Sequence, residues 1–189
     1  RVTHPVEAGL LLGRRIIVIH PDSTSCEFDL TDLPYPRDLD DPTLRRLKEQ
    51  GRTHALCGNL GALLMAREAG LEIIGDYGLN IINSPAARQA AALGCGAITL
   101  SFECERGAAR NIASPVPLGV IAYGHLPLML LRNCPGKTAA GCGDCTGINH
   151  ITDRRGEDFP LQCERRRYTH LLNPRPLLLC DRLPEWDFC

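Results

Sequence analysis

Four of the ten cysteines crowd the last third of the chain, at Cys134, Cys142, Cys145 and Cys163. Seven, two and seventeen residues separate them in turn. A Cys-x2-Cys pair lets two thiolates reach one centre from a single tight turn, and two more thiolates complete a tetrahedral sulfur shell. Thiolate is a soft ligand, so such a set selects zinc or an iron–sulfur cluster over magnesium or calcium. The spacing leaves zinc and iron–sulfur both open, beside free thiols or disulfides. The central pair sits in a glycine-rich run, Gly141 to Gly147, whose backbone N–H groups are available to ligating sulfur. His150 lies near enough in sequence to replace a cysteine, although a surface-loop histidine is the plainer reading.

The other polar residues with a chemical use sit where apolar runs end. Asp76, Asn80, Glu103 and His125 are candidate catalytic residues, and Asn59, Asn83 and Arg154 are candidate substrate-binding residues. In α/β folds the C-terminal ends of strands face the active crevice. Each has a structural alternative: Asn83 as a helix cap, Asp76 as a turn residue. Arg154 and Arg155, with Arg165, Arg166 and Arg167, give the C-terminal region a basic face that could hold RNA phosphates or simply be solvated. Neither Gly-x-Ser-x-Gly nor His-Glu-x-x-His occurs, and the six histidines are scattered, so the residues give peptide hydrolysis no support. No P-loop lysine and no Gly-x-Gly-x-x-Gly after a strand appear, so nucleotide binding has no support either.

The elements that would position these residues alternate. Ile16 to His20 reads as a short buried strand, Ser23 to Pro42 as loop, and Thr43 to Glu49 as a helix ended by Gly51. Then come a strand at His54–Gly58, a helix from Leu60 with Leu63 and Leu64 at helical spacing, ended by Gly70, and a strand from Leu71. Asn83 and Pro85 open a helix ended by Gly94, and strands follow from Gly96 and from Val116, with a short amphipathic segment at Glu105–Ala113 between them. Strands alternating with helices at this spacing imply βαβ units and a parallel sheet. After Gly124 the alternation stops. Leu126–Leu131 reads as a strand end, Ile148–Cys163 as a β-hairpin turning at Asp153–Gly156, Tyr168–Asn173 as a helix or turn, and the run from Pro176 as a strand. The expected organisation is a poorly assigned segment over 1–32, a βα-repeat region over 33–132, and a cysteine-cluster loop with a hairpin extension over 133–189.

With 189 residues and 44% hydrophobic side chains, the chain can bury a core without staples. Its net charge of -1 gives no global attraction to nucleic acid or an anionic membrane. No apolar run reaches the roughly 18 residues of a membrane helix, and the start lacks the order of a signal peptide. No membrane association is expected. Cys57, Cys95 and Cys180 lie in apolar runs and read as small buried hydrophobes. Together with the clustered four, they imply a reducing, cytoplasmic setting.

Several runs resemble the peptidase U32 (collagenase-like) family. YGHLPLMLLRNCP at 123–135 is similar to its YGRLPLM…NCP signature. ALCGNLGAL at 55–63, GDYGLNIINS at 75–84 and ITLSFE at 98–103 resemble its VGNLGAL, GDFGLNVFNS and VTLSPE segments. The Cys142–Cys145 pair, ITDRRGEDFPLQC at 151–163 and LLNPRPLLLCDR at 171–182 continue the likeness in order. The resemblance implies a TIM-barrel-like catalytic domain of which this chain is the C-terminal part. It also implies that Cys134, Cys142, Cys145 and Cys163 bind a [4Fe-4S] cluster, with zinc as the alternative. Family activities then point to hydroxylation of pyrimidines in tRNA or rRNA. The alternatives are a collagenase-like peptidase, or a cluster-bearing or zinc-stapled accessory domain that works with a partner chain or as a homodimer. The chain departs from the family at Pro127, where members related to ubiquinone synthesis have cysteine, at His125 in place of arginine, and at Phe102 in place of proline. The barrel's final strands are absent after Trp186.

Overall fold

The computed structural model describes residues 16–19, 48–49, 51, 54–137, 142, 148–164 and 168–186. The first βα unit begins at β2, His54–Cys57, preceded in the chain by β1 at Ile16–Ile19. The apolar run ends at Gly58, and Asn59 caps the following helix α1, Leu60–Glu68, its side chain accepting the Ala62 N–H. That cap satisfies a backbone donor the first helical turn leaves unpaired. Of the leucines at helical spacing only Leu63 is buried; Leu60 and Leu64 are exposed, and the face against the sheet is completed by Ala62 and Ala66. Small residues there let the helix lie close to the strands.

The unit repeats. Strand β3, Glu72–Gly75, leads through a single 3-10 turn, Tyr77–Leu79, to α2, Ser84–Ala92. Asn83 caps α2 through the Ala86 N–H, and Pro85 occupies its first turn, where a missing N–H removes nothing. Gly70 and Gly94 follow the two helices, as the sequence implied. Strand β4, Cys95–Thr99, is followed by the one-turn helix α3, Arg106–Ala109, and then β5, Leu118–Gly124. The amphipathic segment expected over Glu105–Ala113 thus contracts to one helical turn.

Strands β2, β3, β4 and β5 pair in parallel and in sequence order. Sequential parallel pairing is what short βα units give when each crossover has the same hand. α1 and α2 cover one face, and the core forms there from Cys57, Leu63, Ala66, Ile73, Ala87, Ala90, Ile98 and Leu118, among others. Both β1 and a two-residue strand β10, Leu177–Leu178, add to β5 in the antiparallel sense. The chain is therefore mixed α/β, and the sheet that holds the parallel units also has antiparallel members.

At Gly124 the backbone takes φ +133°, a conformation that favours glycine, and the chain leaves the first sheet. Leu126–Leu131 does not end β5 but supplies a new strand, β6, Pro127–Leu131. With β7 (Ile148–Thr152), β8 (Asp158–Glu164) and β9 (Tyr168–Leu172) it forms a second, wholly antiparallel sheet, in the order β6-β9-β8-β7. The expected hairpin is present as β7 and β8. Tyr168–Asn173, read as a helix or turn, is instead an interior strand: its five strand residues are too few to show a period, and pairing on both edges decided its state. The run from Pro176 yields only β10 before a 3-10 helix, Cys180–Trp186. Most of the expected loop at 23–42 and helix at 43–49 lies outside the described residues; Lys48 and Glu49 are helical, and Gly51 N–H donates to the Lys48 carbonyl.

Candidate functional site

Parallel pairing brings the C-terminal ends of β2 to β5 to one edge of the first sheet, and the candidate residues gather there in part. Asp76 follows β3 directly and is buried. Its backbone N–H donates to the Cys57 carbonyl at 2.9 Å, and its Oδ1 accepts the Tyr77 N–H at 2.8 Å. It thus starts the 3-10 turn as well as marking the strand end. Asn80 closes that turn in the left-handed conformation, φ +55°, and is exposed. The turn presses onto the β2–α1 connection: a Cβ at Gly78 would lie 2.5 Å from the Gly58 carbonyl oxygen, so only glycine fits.

Asn59 and Asn83 have their side-chain oxygens engaged as helix caps, each 2.9 Å from the backbone N–H it accepts. Glu103 is exposed beyond β4, and its backbone N–H donates to Ser101 Oγ. His125, half-buried at the end of β5, lies with Nδ1 2.5 Å from the Asn173 carbonyl. A carbonyl only accepts, so Nδ1 carries the proton and Nε2 is the acceptor of the neutral ring. Arg154 does not join this edge. It is exposed in the β7–β8 turn, where Asp153 Oδ1 accepts the Arg155 and Glu157 N–H groups. Arg165, Arg166 and Arg167 lie outside the described residues.

The polar residue passed over in the sequence is Thr99, at the end of β4. It is fully buried, and its Oγ1 has no hydrogen-bond partner among the described residues. The signal was a lone hydroxyl in the apolar run AIT-L of β4, where a valine would satisfy the pattern.

The cysteines fall into two groups. Cys57 and Cys95 are buried in the core of the parallel sheet, as their apolar runs implied. Burial pushes the Cys57 thiol up to about 12, with smaller contributions from Cys95 and Asp76. Burial also raises Cys95, against an opposing hydrogen bond from the Gly75 backbone. Both stay protonated near neutrality and are poor nucleophiles and ligands. Cys180, expected to be buried, is half-buried, 3.7 Å from the Ala122 carbonyl.

Cys134, Cys142 and Cys163 are in no disulfide and are only partly buried. Cys145 and most of the glycine-rich run around it lie outside the described residues. The antiparallel pairing sets where the three connect. Thr169 of β9 faces Cys163 of β8 on one side and Leu131 of β6 on the other. Cys134 follows Leu131 by three residues, and Ile148, where the chain re-enters the sheet, pairs with Gln162 beside Cys163. Both ends of the cysteine run, and Cys163, therefore lie at the same end of the second sheet. Among the described residues no three His, Cys, Asp or Glu side chains stand close enough to hold a metal ion. Among them, too, no helix is long and apolar enough to cross a membrane.

No protein-family model, no curated protein and no solved structure matches the chain.

Proposed function

We propose that the chain is a cytoplasmic iron–sulfur protein similar to the peptidase U32 family, acting in hydroxylation of RNA pyrimidines, and that its parallel units are part of a TIM-type barrel. One observation carries the reading: the second sheet brings the chain on either side of Cys134 and Cys142, and Cys163 itself, to one end, and the three cysteines are in no disulfide and only partly buried. Cys145, three residues beyond Cys142, would complete a four-thiolate set. These four residues would hold a [4Fe-4S] cluster, which when bound supplies one-electron chemistry. The sequential order β2-β3-β4-β5 supports the barrel reading, because barrel strands pair in that order.

Around a substrate, this chain's own residues would bind and orient. Asp76 and His125 Nε2 offer acceptors at the strand ends, Asn80 and Glu103 lie exposed beside them, and Asn59 and Asn83 hold the helices that frame the edge. Arg154 would meet phosphate from the second sheet, with tRNA or rRNA as the partner.

The test is anaerobic purification with iron, sulfide and zinc analysis of wild type and Cys142→Ala, beside mass spectrometry of RNA from a deletion strain. About four iron and four sulfide per chain, lost in the variant, with a hydroxylated pyrimidine missing from the strain, support the reading. About one zinc and unchanged RNA overturn it.

A zinc-stapled accessory domain, bound to a partner chain or to a second copy, is the second reading. It is favoured by the small interior of the antiparallel sheet, where Leu161, Thr169 and Leu172 are the buried residues among those described. A domain with so little core gains much from a metal cross-link.

A further inference from the structure

Two aromatic rings meet where β3 and β4 end. Tyr77 follows β3 and Phe102 follows β4, and these strands pair in parallel, so both residues stand at the C-terminal edge of the first sheet. The ring centroids are 5.6 Å apart and the ring planes are inclined by 44°. Tyr77 is half-buried. Phe102 is 37% exposed, and it is the one exposed aromatic side chain among the described residues.

A single apolar side chain in water is ordinary on a protein surface; what distinguishes Phe102 is its support. Ser101 is buried and fixes the turn that carries the ring. Its N–H donates to the Ile81 carbonyl at 3.0 Å, its carbonyl accepts the Cys104 N–H at 2.9 Å, and its Oγ accepts the Glu103 N–H at 3.3 Å. Tyr77 is held as firmly. Asp76 Oδ1 accepts its N–H at 2.8 Å, and the turn it opens is packed against Gly58. A tilted ring pair at this spacing is itself favourable, so Tyr77 backs one side of Phe102. The rest of Phe102 is open to solvent on a backbone that hydrogen bonds fix. Asn80 and Glu103, on the same two turns, are exposed as well.

We propose that Phe102, backed by Tyr77, is the platform on which one unpaired base of single-stranded RNA stacks. Every base has a flat π-face, so an aromatic platform holds it whatever its identity. Bases inside a duplex are covered on both faces, which restricts the ligand to a single strand. Because the turns are already ordered, binding the base costs little further ordering of the protein. The RNA ligand rests on the function proposed above; the geometry of the ring pair does not.

The experiment is a titration of a short single-stranded oligouridylate, and of an abasic oligomer of the same length, into wild type, Phe102→Leu and Phe102→Tyr, each as purified anaerobically. It is repeated at several salt concentrations, and thermal unfolding of each protein accompanies it. Oligouridylate is expected to bind wild type and Phe102→Tyr alike, and to bind Phe102→Leu about tenfold more weakly, the effect of losing one stacked base. The abasic oligomer should bind wild type at least as poorly. The slope of affinity against salt should be the same in wild type and Phe102→Leu, because no phosphate contact is removed. A ring serving only its contact with Tyr77 would lower the melting temperature in Phe102→Leu and leave affinity alone. No oligouridylate binding to wild type, equal affinity of Phe102→Leu, equal loss in Phe102→Tyr and Phe102→Leu, equal binding of the abasic oligomer, or a smaller salt slope in Phe102→Leu overturns the proposal. The titration involves no turnover. Unchanged RNA in the deletion strain therefore overturns the hydroxylation reading alone, and unchanged affinity of Phe102→Leu overturns this one alone.

Discussion

Cys57 and Cys95 in the parallel sheet are buried with thiols held protonated, whereas Cys134, Cys142 and Cys163 beside the antiparallel sheet are only partly buried. The two regions also differ in what holds them together. The parallel sheet has helices and an aliphatic core on one face; the antiparallel sheet buries few side chains and connects the cysteines at one end. One residue type thus serves as core filler in the first region and as accessible sulfur in the second. Burial and its effect on the thiol make the difference, not the presence of cysteine.

The strongest way to break this contrast is to remove one cysteine from each region. Cys163→Ala is expected to abolish bound iron and sulfide, while Cys95→Ala leaves the metal content of the purified protein unchanged. Equal metal in all three proteins would dissolve the distinction. Core truncation comes next. Leu63→Ala, at a fully buried position between α1 and the sheet, should cost about 2–5 kcal/mol in urea unfolding. Removing the metal should leave that region's unfolding transition in place.

The titration of Cys57 sharpens the contrast. Its folded pKa is raised from 9.0 to about 12, so the folded state keeps a proton that the unfolded chain releases. The stability this gives is full below pH 9 and is lost as pH rises toward 12. Unfolding free energy followed across that window should fall in wild type and fall less steeply in Cys57→Ala. Once the metal is removed, the partly buried Cys134 and Cys163 should react with iodoacetamide while the buried Cys57 does not. A smaller effect is expected at the caps: Asn83→Ala should lose about 1 kcal/mol, and the same change at Asn59 should match it. A loss of activity far beyond what that instability explains would give either asparagine a role besides capping. The smallest effect belongs to Glu185, which pairs with Arg182 at 3.0 Å and with Arg106 on the surface. Glu185→Gln should leave the melting temperature unchanged, because exposed ion pairs contribute little.

Local chemistry that declares itself in sequence was legible here. Asn83 acts as the cap its position before Pro85 implied, Asn59 caps α1 in the same way although the sequence marked it only as a strand-end polar residue, and the four parallel strands fall where alternation set them. What tertiary pairing decides was less legible. β6 reads as a continuation of β5 because both are apolar and only Gly124 separates them from a change of direction. Five residues of β9 carry no period that tells strand from turn. Leu64 looked like core, but the alanines made the contact because the helix had to approach the sheet closely. Thr99 was invisible as a candidate, since its lack of a partner is a property of the folded neighbourhood and not of the residue.

The junction between the two sheets has a consequence for how the chain can be rebuilt. The polypeptide leaves the parallel sheet at Gly124 and returns at Leu177, and these two residues are paired with each other. Beside them Asn173 N–H donates to the Leu126 carbonyl at 2.8 Å. The chain from β6 to β9 therefore leaves and re-enters the first sheet at neighbouring points. Cutting it out and joining the two stumps with a tight turn should leave the remaining α/β body folded, and the excised piece has termini close enough to be spliced into a surface loop of another protein.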